Sequence, residues 1–493
     1  MNKILNHRFY LPLLIIIVAL LSACKKDISD DTPPVITEVR SYAADPNDTV
    51  INGLTVNDQI RDGQWVVISG QNLKNAIQIK FNGVNASFNS ALFAQNNAVV
   101  RIPTILFSTI DTTKLYTIEY ATTGGTTTFA FKLGPAAPTI SAISNVFANP
   151  GDSVFIYGTN LVLVQSFSYG GTKISSSKTN TEGTSLGFVM PSPAPTSGDI
   201  VVTTKSGTVT YKISATPTIT GVSNENAIAG DSVFVYGTYF KKIQTFTFAG
   251  ATITSFNASA DGSSIGFVMP SISTSGPVSI TTPFGTATTV YNVNDIVGVG
   301  SISNWEWGSN FNWQWWGGSN LTSGSPDFPG NQSQYQVLKR GIFSSGEGNT
   351  WSSYAIRMNA VQWVPTASMN DPIDNWAFKF EVNIPQEWNG PSILIQSSDA
   401  TYTCRLEPWQ KSATTTAPYT TKGWQTITIP FSAFRKTDAT LGDGRGASMT
   451  KFADLLGTSG NSECYLWLKN FSTSDTPTGF YGAFDNLRVV KIK

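Results

Sequence analysis

Residues 151–159 read Gly-Asp-Ser-Val-Phe-Ile-Tyr-Gly-Thr, and residues 230–238 read Gly-Asp-Ser-Val-Phe-Val-Tyr-Gly-Thr. The two segments are 79 positions apart (151 to 230), and the same spacing separates Gly187-Phe-Val-Met-Pro from Gly266-Phe-Val-Met-Pro. Matching segments at one fixed spacing indicate a tandem repeat. The middle of the chain is therefore predicted to hold two copies of one structural unit, with no insertion between the matched segments.

Each copy has the pattern of a small β-sandwich. Val154 and Ile156 alternate with Phe155 and Tyr157, which predicts a strand whose two faces are both covered. Gly-Asp before this strand and Gly-Thr after it supply turns. Several short strands separated by turns at this spacing are typical of an immunoglobulin-like sandwich.

An earlier and more diverged copy precedes these two. It starts at Pro34-Val-Ile and continues with Asp62-Gly-Gln-Trp-Val-Val-Ile-Ser-Gly. A chain of 493 residues is long enough for several buried cores. The predicted organisation is a signal peptide at 1–23, a tether at 24–33, a diverged module at 34–134, two modules at 135–215 and 216–295, and a larger domain at 296–493.

The N-terminus has the pattern of an export signal. Lys3 and Arg8 flank the start, residues 11–21 form an apolar run, and Leu-Ser-Ala-Cys24 follows. The alternative, a transmembrane helix, needs roughly 20 apolar residues, and this run is shorter. The last four residues resemble the lipobox of bacterial lipoproteins. That resemblance implies that Cys24 becomes a lipidated N-terminus and anchors the protein in a membrane.

The composition argues against several classes of function. Charged residues make up 13% of the chain and the formal net charge is zero, so no electrostatic field attracts nucleic acid or an anionic membrane. The single histidine, His7, lies in the predicted signal peptide. This excludes histidine-dependent nucleophile systems and the common zinc sites from the mature protein. We predict no cofactor and no metal, and a carboxylate pair is the main catalytic chemistry left open.

The last 200 residues differ in kind from the rest. They hold twelve of the thirteen tryptophans, and the other one is Trp65. Residues 375–382 alternate strictly between apolar and polar, and further strand-like runs follow without a convincing helix. This predicts a larger β-sandwich of jelly-roll type. We expect Trp376 and Trp424 to lie in its core.

A second group of tryptophans lacks the aliphatic partners of a core strand. Trp305, Trp307, Trp313, Trp315 and Trp316 stand among glycine and asparagine, and Trp351 lies in a similar context. A sugar has an apolar face that stacks on flat rings and a rim of hydroxyls that binds short polar side chains. The predicted glycan-binding residues are Trp313, Trp315, Trp316, Glu347, Asn349, Trp351, Tyr354 and Trp363. The alternative is that most of these rings are structural.

Two sets of motifs carry a family resemblance. The pattern Pro-x-Ile, Gly-Asp and Val-x-Gly-Thr in the repeats resembles IPT/TIG domains. Gly423-Trp-Gln followed by Ile-Pro-Phe431, and Phe484-Asp-Asn-Leu-Arg-Val, look like segments of jelly-roll carbohydrate-binding modules. With the lipobox, the domain order resembles surface glycan-binding proteins of the type-B xyloglucan-binding kind.

That resemblance implies a specific function. The protein would be a non-catalytic lipoprotein on the outer face of the outer membrane, with the IPT/TIG modules as spacers. Its terminal domain would bind xyloglucan or another β-glucan or β-mannan and deliver it to an outer-membrane glycan transporter. The positions that match the aromatic platform of that family are Trp316 and Trp351.

Two other functions stay open from the residues alone. The terminal domain has carboxylates for a glycoside hydrolase, and the whole rod could serve as an adhesin or matrix protein. Cys404 and Cys464 lie in strand-like runs and could pair in an oxidising compartment or remain buried free thiols.

Overall fold

A computed structural model describes residues 32–42, 63–195, 198–314 and 320–493. The predicted signal peptide and Cys24 lie outside these residues. Over the described residues, no helix combines the length and the hydropathy needed to cross a membrane. The structure is nearly all β, with 44% of residues in strands and 4% in helices, which confirms the predicted fold class.

The chain divides into two compact units, residues 1–213 and residues 214–493. The first unit holds the first module (34–134) and the second module (135–215, apart from its last two residues). The strands of the first module are β1 (Val35–Ser41), β2 (Trp65–Gln71), β3 (Ala76–Phe81), β4 (Val84–Asn85), β5 (Asn97–Arg101), β6 (Thr117–Thr122) and β7 (Gly125–Ala130). They form antiparallel sheets in the orders β1-β2-β5 and β4-β3-β6-β7. A short 3-10 turn spans Ser90–Leu92.

The second module has two four-stranded antiparallel sheets. Its strands are β8 (Thr139–Ile143), β9 (Ser153–Thr159), β10 (Val164–Tyr169), β11 (Thr172–Lys173), β12 (Ser177–Thr179), β13 (Ser185–Val189), β14 (Asp199–Thr204) and β15 (Gly207–Lys212). The strand orders are β12-β13-β9-β8 and β11-β10-β14-β15. This is the small sandwich that the turn spacing predicts.

The third module (216–295) begins the second unit and repeats this design. Its strands are β16 (Thr218–Val222), β17 (Ser232–Thr238), β18 (Thr245–Phe248), β19 (Ala251–Thr252), β20 (Asn257–Ala258), β21 (Ser264–Val268), β22 (Ser279–Thr282) and β23 (Gly285–Thr288). The orders β16-β17-β21-β20 and β19-β18-β22-β23 match those of the second module strand for strand. The sequence duplication is therefore a duplication of topology.

One prediction about these modules needs correction. Val154 and Ile156 on β9 are fully buried, but Phe155 and Tyr157 on the opposite face are 45% and 44% exposed. The corresponding face of β17 is open in the same way. Aromatic side chains on a strand do not by themselves require a second covering layer, because a folded surface retains much apolar area.

The terminal domain (296–493) is a larger sandwich of two sheets. Its strands are β24 (Ser301–Ser303), β25 (Asn320–Ser323), β26 (Gln334–Arg340), β27 (Ala355–Gln362), β28 (Trp376–Asn383), β29 (Ser392–Ser397), β30 (Tyr402–Leu406), β31 (Gln425–Pro430), β32 (Phe434–Lys436), β33 (Asn461–Lys469) and β34 (Phe480–Lys491). One sheet has six strands, in the order β25-β26-β34-β28-β31 with β24 also paired to β34, and the other has five, in the order β27-β33-β29-β30-β32. The short helix α1 spans Ala453–Leu456, and 3-10 turns span Thr366–Ser368, Ile373–Asn375 and Phe431–Ala433.

The core lies between these two sheets. Trp376, Phe378 and Phe380 project into it from β28, as the strict alternation of this strand predicts. Trp305 is also fully buried in this core. Trp424 is buried too, but it packs in a separate cluster with Phe328, Tyr335 and other neighbours.

The two cysteines of the terminal domain are buried free thiols. Cys404 lies on β30 and Cys464 on β33, and β29 lies between these strands. Two strand spacings place the backbones roughly 9–10 Å apart, beyond the ~7 Å that a disulfide can span.

Candidate functional site

The outer face of the six-stranded sheet is covered by the third module. The carboxylate of Glu225, in the loop after β16, lies 2.5 Å from Nζ of Lys379 and 2.7 Å from Nη2 of Arg488. All three side chains are buried. Glu381 accepts two further hydrogen bonds from the Arg488 guanidinium, at 2.8 and 2.9 Å. Module and sheet therefore meet here through buried charges, and these charged groups are withdrawn from solvent.

The outer face of the five-stranded sheet is different. Successive residues of β33 point to opposite sides. The inward side chains, which lie in the main core, are Cys464, Leu466 and Leu468. Glu463, Tyr465 and Trp467 therefore project outward. On this face Ala355, Leu394 and Trp467 form a small apolar cluster with Tyr465 and Phe471 packed against it.

Trp351 lies at the edge of this outer face, in the loop that leads into β27. Its side chain is 64% exposed. The guanidinium carbon of Arg357 lies 3.8 Å from the centroid of the Trp351 ring and 4.1 Å from the centroid of the Tyr465 ring. Such cation–π contacts are worth about 0.5–2 kcal/mol each, more where water is excluded. Trp351 is thus an exposed ring supported by a buried guanidinium.

Hydrogen bonds hold Arg357 in this position. Its Nε donates to Oε1 of Gln314 at 3.0 Å, and its Nη1 donates to the carbonyl of Thr350 at 3.4 Å. Gln314 in turn donates to Oε1 of Glu463 at 3.1 Å, and the Tyr465 hydroxyl donates to the same carboxylate. Burial lowers the pKa of Arg357, and the Glu463 charge opposes this shift. An arginine remains charged at neutral pH all the same.

The aromatic surface continues along the sheet from Tyr465. The indole N–H of Trp467 donates to Oε1 of Gln396 at 3.2 Å, which fixes the orientation of its ring. Further along, the Arg405 guanidinium lies 3.7 Å from the centroid of the Phe471 ring. We call the surface formed by Trp351, Arg357, Tyr465, Trp467 and Phe471 the aromatic face.

The carboxylates beside the aromatic face form ion pairs with basic side chains. Glu407 forms ion pairs with Arg405, at 2.5 Å, and with Arg445. Asp443 pairs with Lys469 at 2.9 Å, and this contact helps to lower the pKa of the Asp443 carboxyl against the opposing effect of its burial. The Asp443 carboxyl therefore favours its charged, unprotonated form.

A carboxyl group with a raised pKa lies elsewhere in the domain. Burial raises the pKa of Asp485 well above its ordinary value. Asp485 is fully buried, and its Oδ2 accepts hydrogen bonds from Asn331 at 2.7 Å and Ser333 at 3.1 Å. It belongs to β34 in the six-stranded sheet, on the covered side rather than beside the aromatic face.

Some of the predicted site residues reach this surface. Trp351 is at its edge, and Asn349 accepts a hydrogen bond from the Trp351 backbone N–H at 2.9 Å, so it shapes the turn that presents the ring. Glu347 pairs with Arg340 at 2.8 Å and accepts a hydrogen bond from the Ser344 N–H at 2.9 Å. Through these contacts Glu347 stabilises the loop that carries Trp351.

Other predicted residues are placed differently. Trp363 is fully buried and donates its indole N–H to the carbonyl of Ser462 at 3.0 Å. Tyr354 is buried and packs edge-on against Phe343. Neither ring has a free face, so we correct the prediction and exclude both from the binding surface. Trp313 is half-buried and packs against the core.

Two predicted platform residues, Trp315 and Trp316, lie outside the described residues. Trp307, which precedes them, is 58% exposed and stacks on Phe311, with 3.6 Å between the ring centroids. It is the second strongly exposed tryptophan among the described residues.

Sequence reasoning missed most of the aromatic face. The predicted site residues do not include Arg357, Tyr465, Trp467 or Phe471. Tyr465 and Trp467 nevertheless alternate with the inward residues of β33. That alternation was a usable signal. The role of Arg357 had no such signal, because it depends on a contact with a ring six positions earlier across a turn.

Comparison with known proteins supports the family resemblance. Residues 296–491 match the family model for the surface glycan-binding protein B xyloglucan-binding domain. A crystal structure determined with xylogluco-oligosaccharide is similar to this chain, with 20% sequence identity and a TM-score of 0.62. The alignment covers 94% of this chain and 100% of the other one. Comparison with curated proteins finds no match.

Two further solved structures are similar. The SGBP-B from a complex xyloglucan utilization locus in Bacteroides uniformis covers 72% of this chain and 100% of its own, at 20% identity and a TM-score of 0.43. Surface glycan-binding protein PbSGBP-B from Prevotella bryantii covers 93% of this chain and 99% of its own, at 16% identity and a TM-score of 0.44. The match of residues 296–491 to the family model confirms, for the terminal domain, the family resemblance drawn from the sequence.

Proposed function

We propose that this chain, which belongs to the surface glycan-binding proteins of the B kind through its domain at residues 296–491, binds xyloglucan-like β-glucan on the aromatic face without cleaving it. The observation that carries the proposal is the pairing of Trp351 with Arg357. One side of the indole rests on a buried cation, and the ring remains 64% exposed. A flat, fixed and solvent-exposed ring is the surface on which a pyranose stacks.

The energetics fit a polymer ligand. If a sugar covers about 100 Å² of an indole, the gross stabilisation is about 2.5 kcal/mol. Two or three such contacts, less the entropy lost on ordering the ligand, give a dissociation constant of about micromolar. Trp351 supplies one contact, and the half-buried ring of Tyr465 extends the same surface, whereas Trp467 is buried beside it. Trp315 and Trp316 remain candidates for a further stacking contact with the sugar.

The polar groups around the rings suit the hydroxyl rim of a sugar. The Glu463 carboxylate and the Gln314 and Gln396 amides all lie on the aromatic face, where they already bind Arg357, Tyr465 or Trp467. A carboxylate has about four lone-pair positions and an amide oxygen has two. The half-buried Glu463 carboxylate therefore retains capacity to accept a hydrogen bond from a sugar hydroxyl, whereas the two amides are buried and support the rings.

The electrostatics support binding rather than hydrolysis. A glycosidase needs a protonated carboxylic acid beside the scissile bond. Beside the aromatic face, Glu407 and Asp443 are paired with basic side chains, and the pKa of the Asp443 carboxyl is lowered. Asp485, the carboxyl with the strongly raised pKa, belongs to the covered sheet. The family is likewise one of binding domains.

The cellular setting is part of the proposal. Leu-Ser-Ala-Cys24 after a short apolar run supports lipidation at Cys24 and anchoring in the outer membrane. In that setting the three immunoglobulin-like modules act as spacers, and an outer-membrane glycan transporter is the partner that receives the polysaccharide.

Affinity electrophoresis of the full chain through gels that contain soluble polysaccharides tests this proposal. We expect xyloglucan to retard the protein, with no reducing ends released on incubation. Release of reducing ends would establish a hydrolase instead. Migration unaffected by xyloglucan, mixed-linkage glucan and mannan alike would favour an adhesin and contradict the proposal.

A further inference from the structure

The third module carries an aromatic pair on the outer face of the sheet β16-β17-β21-β20. Phe234 and Tyr236 on β17 are 44% and 46% exposed, and their rings are nearly parallel, with an interplanar angle of 14° and 6.4 Å between centroids. Val268 on β21, also exposed, adds apolar surface on the neighbouring strand. The module therefore presents two nearly parallel, exposed rings to solvent.

A glycine on the neighbouring strand leaves the space that one of these rings occupies. Phe234 pairs with Gly266 across the ladder between β17 and β21. A Cβ atom at position 266 would lie only 2.8 Å from Cε1 of Phe234, so the ring lies directly over the glycine. Because the backbone supports the ring from below, its other face stays open and its position is fixed before any ligand arrives.

A groove runs beside this ring, with a volume of about 470 Å³. Its polar lining residues are Ser232, Ser255, Asn257, Ser259 and Ser264. The residues that line it include no charged side chain. A volume of this size is in the range of small-ligand sites.

The second module repeats the arrangement. Phe155 pairs with Gly187, where a Cβ atom would lie 3.1 Å from Cε1 of the ring. Tyr157 follows on the same face, and the adjacent groove of about 410 Å³ is lined mainly by serine, threonine and asparagine, with Lys178 as its charged residue.

The first module lacks the pair. The positions that correspond to Phe155 and Tyr157 are occupied by Val67, which is buried, and Ser69. The aromatic pair is therefore not a requirement of the fold, since the same strand forms without it.

The chemistry of the grooves selects their occupant. A nucleic acid or an acidic peptide needs basic side chains, and the groove of the third module offers none. Flat rings beside hydroxyl and amide groups match the apolar face and the hydroxyl rim of an uncharged sugar. In addition, the modules and the terminal domain belong to one protein chain, so a sufficiently long polymer held by the terminal domain meets the modules at a raised effective concentration.

We propose that the grooves beside Phe234 and Phe155, together with the exposed rings of Tyr236 and Tyr157 next to them, are accessory binding sites for the same polysaccharide chain. This inference rests on the proposed function of the terminal domain. Each groove alone binds weakly, and its contribution appears only with a polymer long enough to reach it while the aromatic face is occupied. The modules then add avidity as well as length.

The test compares polymer and oligosaccharide binding by the full chain. In one variant, Phe155, Tyr157, Phe234 and Tyr236 are all changed to serine. We expect its affinity for high-molecular-weight xyloglucan to fall by about fivefold or more, while its affinity for a short xylogluco-oligosaccharide stays within about twofold of wild type, because the terminal domain is untouched. Ile77→Ser, an exposed apolar site in the first module, is the matched control.

A second variant controls for the possibility that the fourfold variant misfolds. Tyr157→Ser with Tyr236→Ser leaves both phenylalanines on their glycines, and it should still weaken polymer binding alone. If polymer affinity is unchanged in both variants while the wild type binds the oligosaccharide, the accessory sites are contradicted and the terminal site stands. If the wild type binds neither ligand, both proposals are contradicted.

Discussion

Arg357 lies beneath Trp351, with 3.8 Å between its guanidinium carbon and the centroid of the indole. The same guanidinium lies 4.1 Å from the centroid of the Tyr465 ring, so one buried cation joins two rings of the aromatic face. Its hydrogen bonds to Gln314 and to the carbonyl of Thr350 restrict its movement, and Glu463 holds Gln314 in turn. The exposed tryptophan is thus held on a preorganised support, and this reduces the entropy lost when a ligand binds.

Arg357→Lys tests this support. Lysine keeps the charge but loses the planar group that stacks on rings and donates from fixed positions. We expect glycan affinity to fall about fivefold to tenfold, which corresponds to about 1–1.4 kcal/mol. Isothermal titration of Arg357→Lys, Trp351→Ala and the double variant gives the coupling between the two residues. Strictly additive losses would show that Arg357 does not act through Trp351.

Glu225 tests the junction between the third module and the terminal domain. Burial disfavours its charge, but Lys379 and Arg488 outweigh this and hold its pKa below the ordinary 4.5. Glu225→Gln leaves Lys379 buried without its carboxylate, so we expect unfolding stability to fall by about 3–5 kcal/mol at pH 7.

The pH dependence of this loss has a definite sign. A carboxyl with a lowered pKa contributes stability above its unfolded pKa and loses it as the pH falls through the folded pKa. The difference in unfolding free energy between wild type and Glu225→Gln should therefore be largest at pH 7 and should shrink below about pH 4.5. Glu119→Gln, which breaks surface pairs with Lys80 and Lys114, is the control and should change stability by under about 1 kcal/mol. Equal losses in the two variants would contradict the buried network.

Cys404 and Cys464 should be unreactive in the native protein. Burial raises the pKa of Cys404 to about 12 and that of Cys464 well above its ordinary value, and the thiolate is the reactive form. We expect Ellman's reagent to leave both thiols unmodified until denaturant is added, when both react without prior reduction. Rapid modification of the native protein, or a need for reductant after unfolding, would refute this assignment.

Trp376 should be essential for stability rather than for binding. It is buried in the main core, next to Phe452, and large aromatic deletions in cores cost about 3–5 kcal/mol. Thermal unfolding of Trp376→Ala should show a strongly lowered melting temperature. A near-normal melting temperature would remove Trp376 from the core.

Strand periodicity predicted much of the fold and part of the site. Alternation placed Trp376 and Phe378 in the core, and the same pattern in β33 could have assigned Tyr465 and Trp467 to the outer face. Alternation fails in turns. Trp305 adopts a positive φ of 54° and is buried, whereas Trp307, two positions later, is exposed.

The choice of sheet could not be predicted from local pattern. Both sheets of the terminal domain have outer faces, and one is covered because Glu225 reaches Arg488 across 263 positions of sequence. Trp363 illustrates the same limit, since its burial depends on Ser462, 99 positions away. Contacts at such separations leave no periodic trace in the chain.

The central claim is that the exposed indole of Trp351 binds sugar. Isothermal titration of a soluble xylogluco-oligosaccharide into the full chain and into Trp351→Ala tests it most directly, with melting temperatures measured in parallel. We predict that affinity falls about tenfold or more while the melting temperature stays unchanged, because the ring is 64% exposed. Wild-type affinity in Trp351→Ala, or a loss of affinity that only accompanies unfolding, would contradict the account.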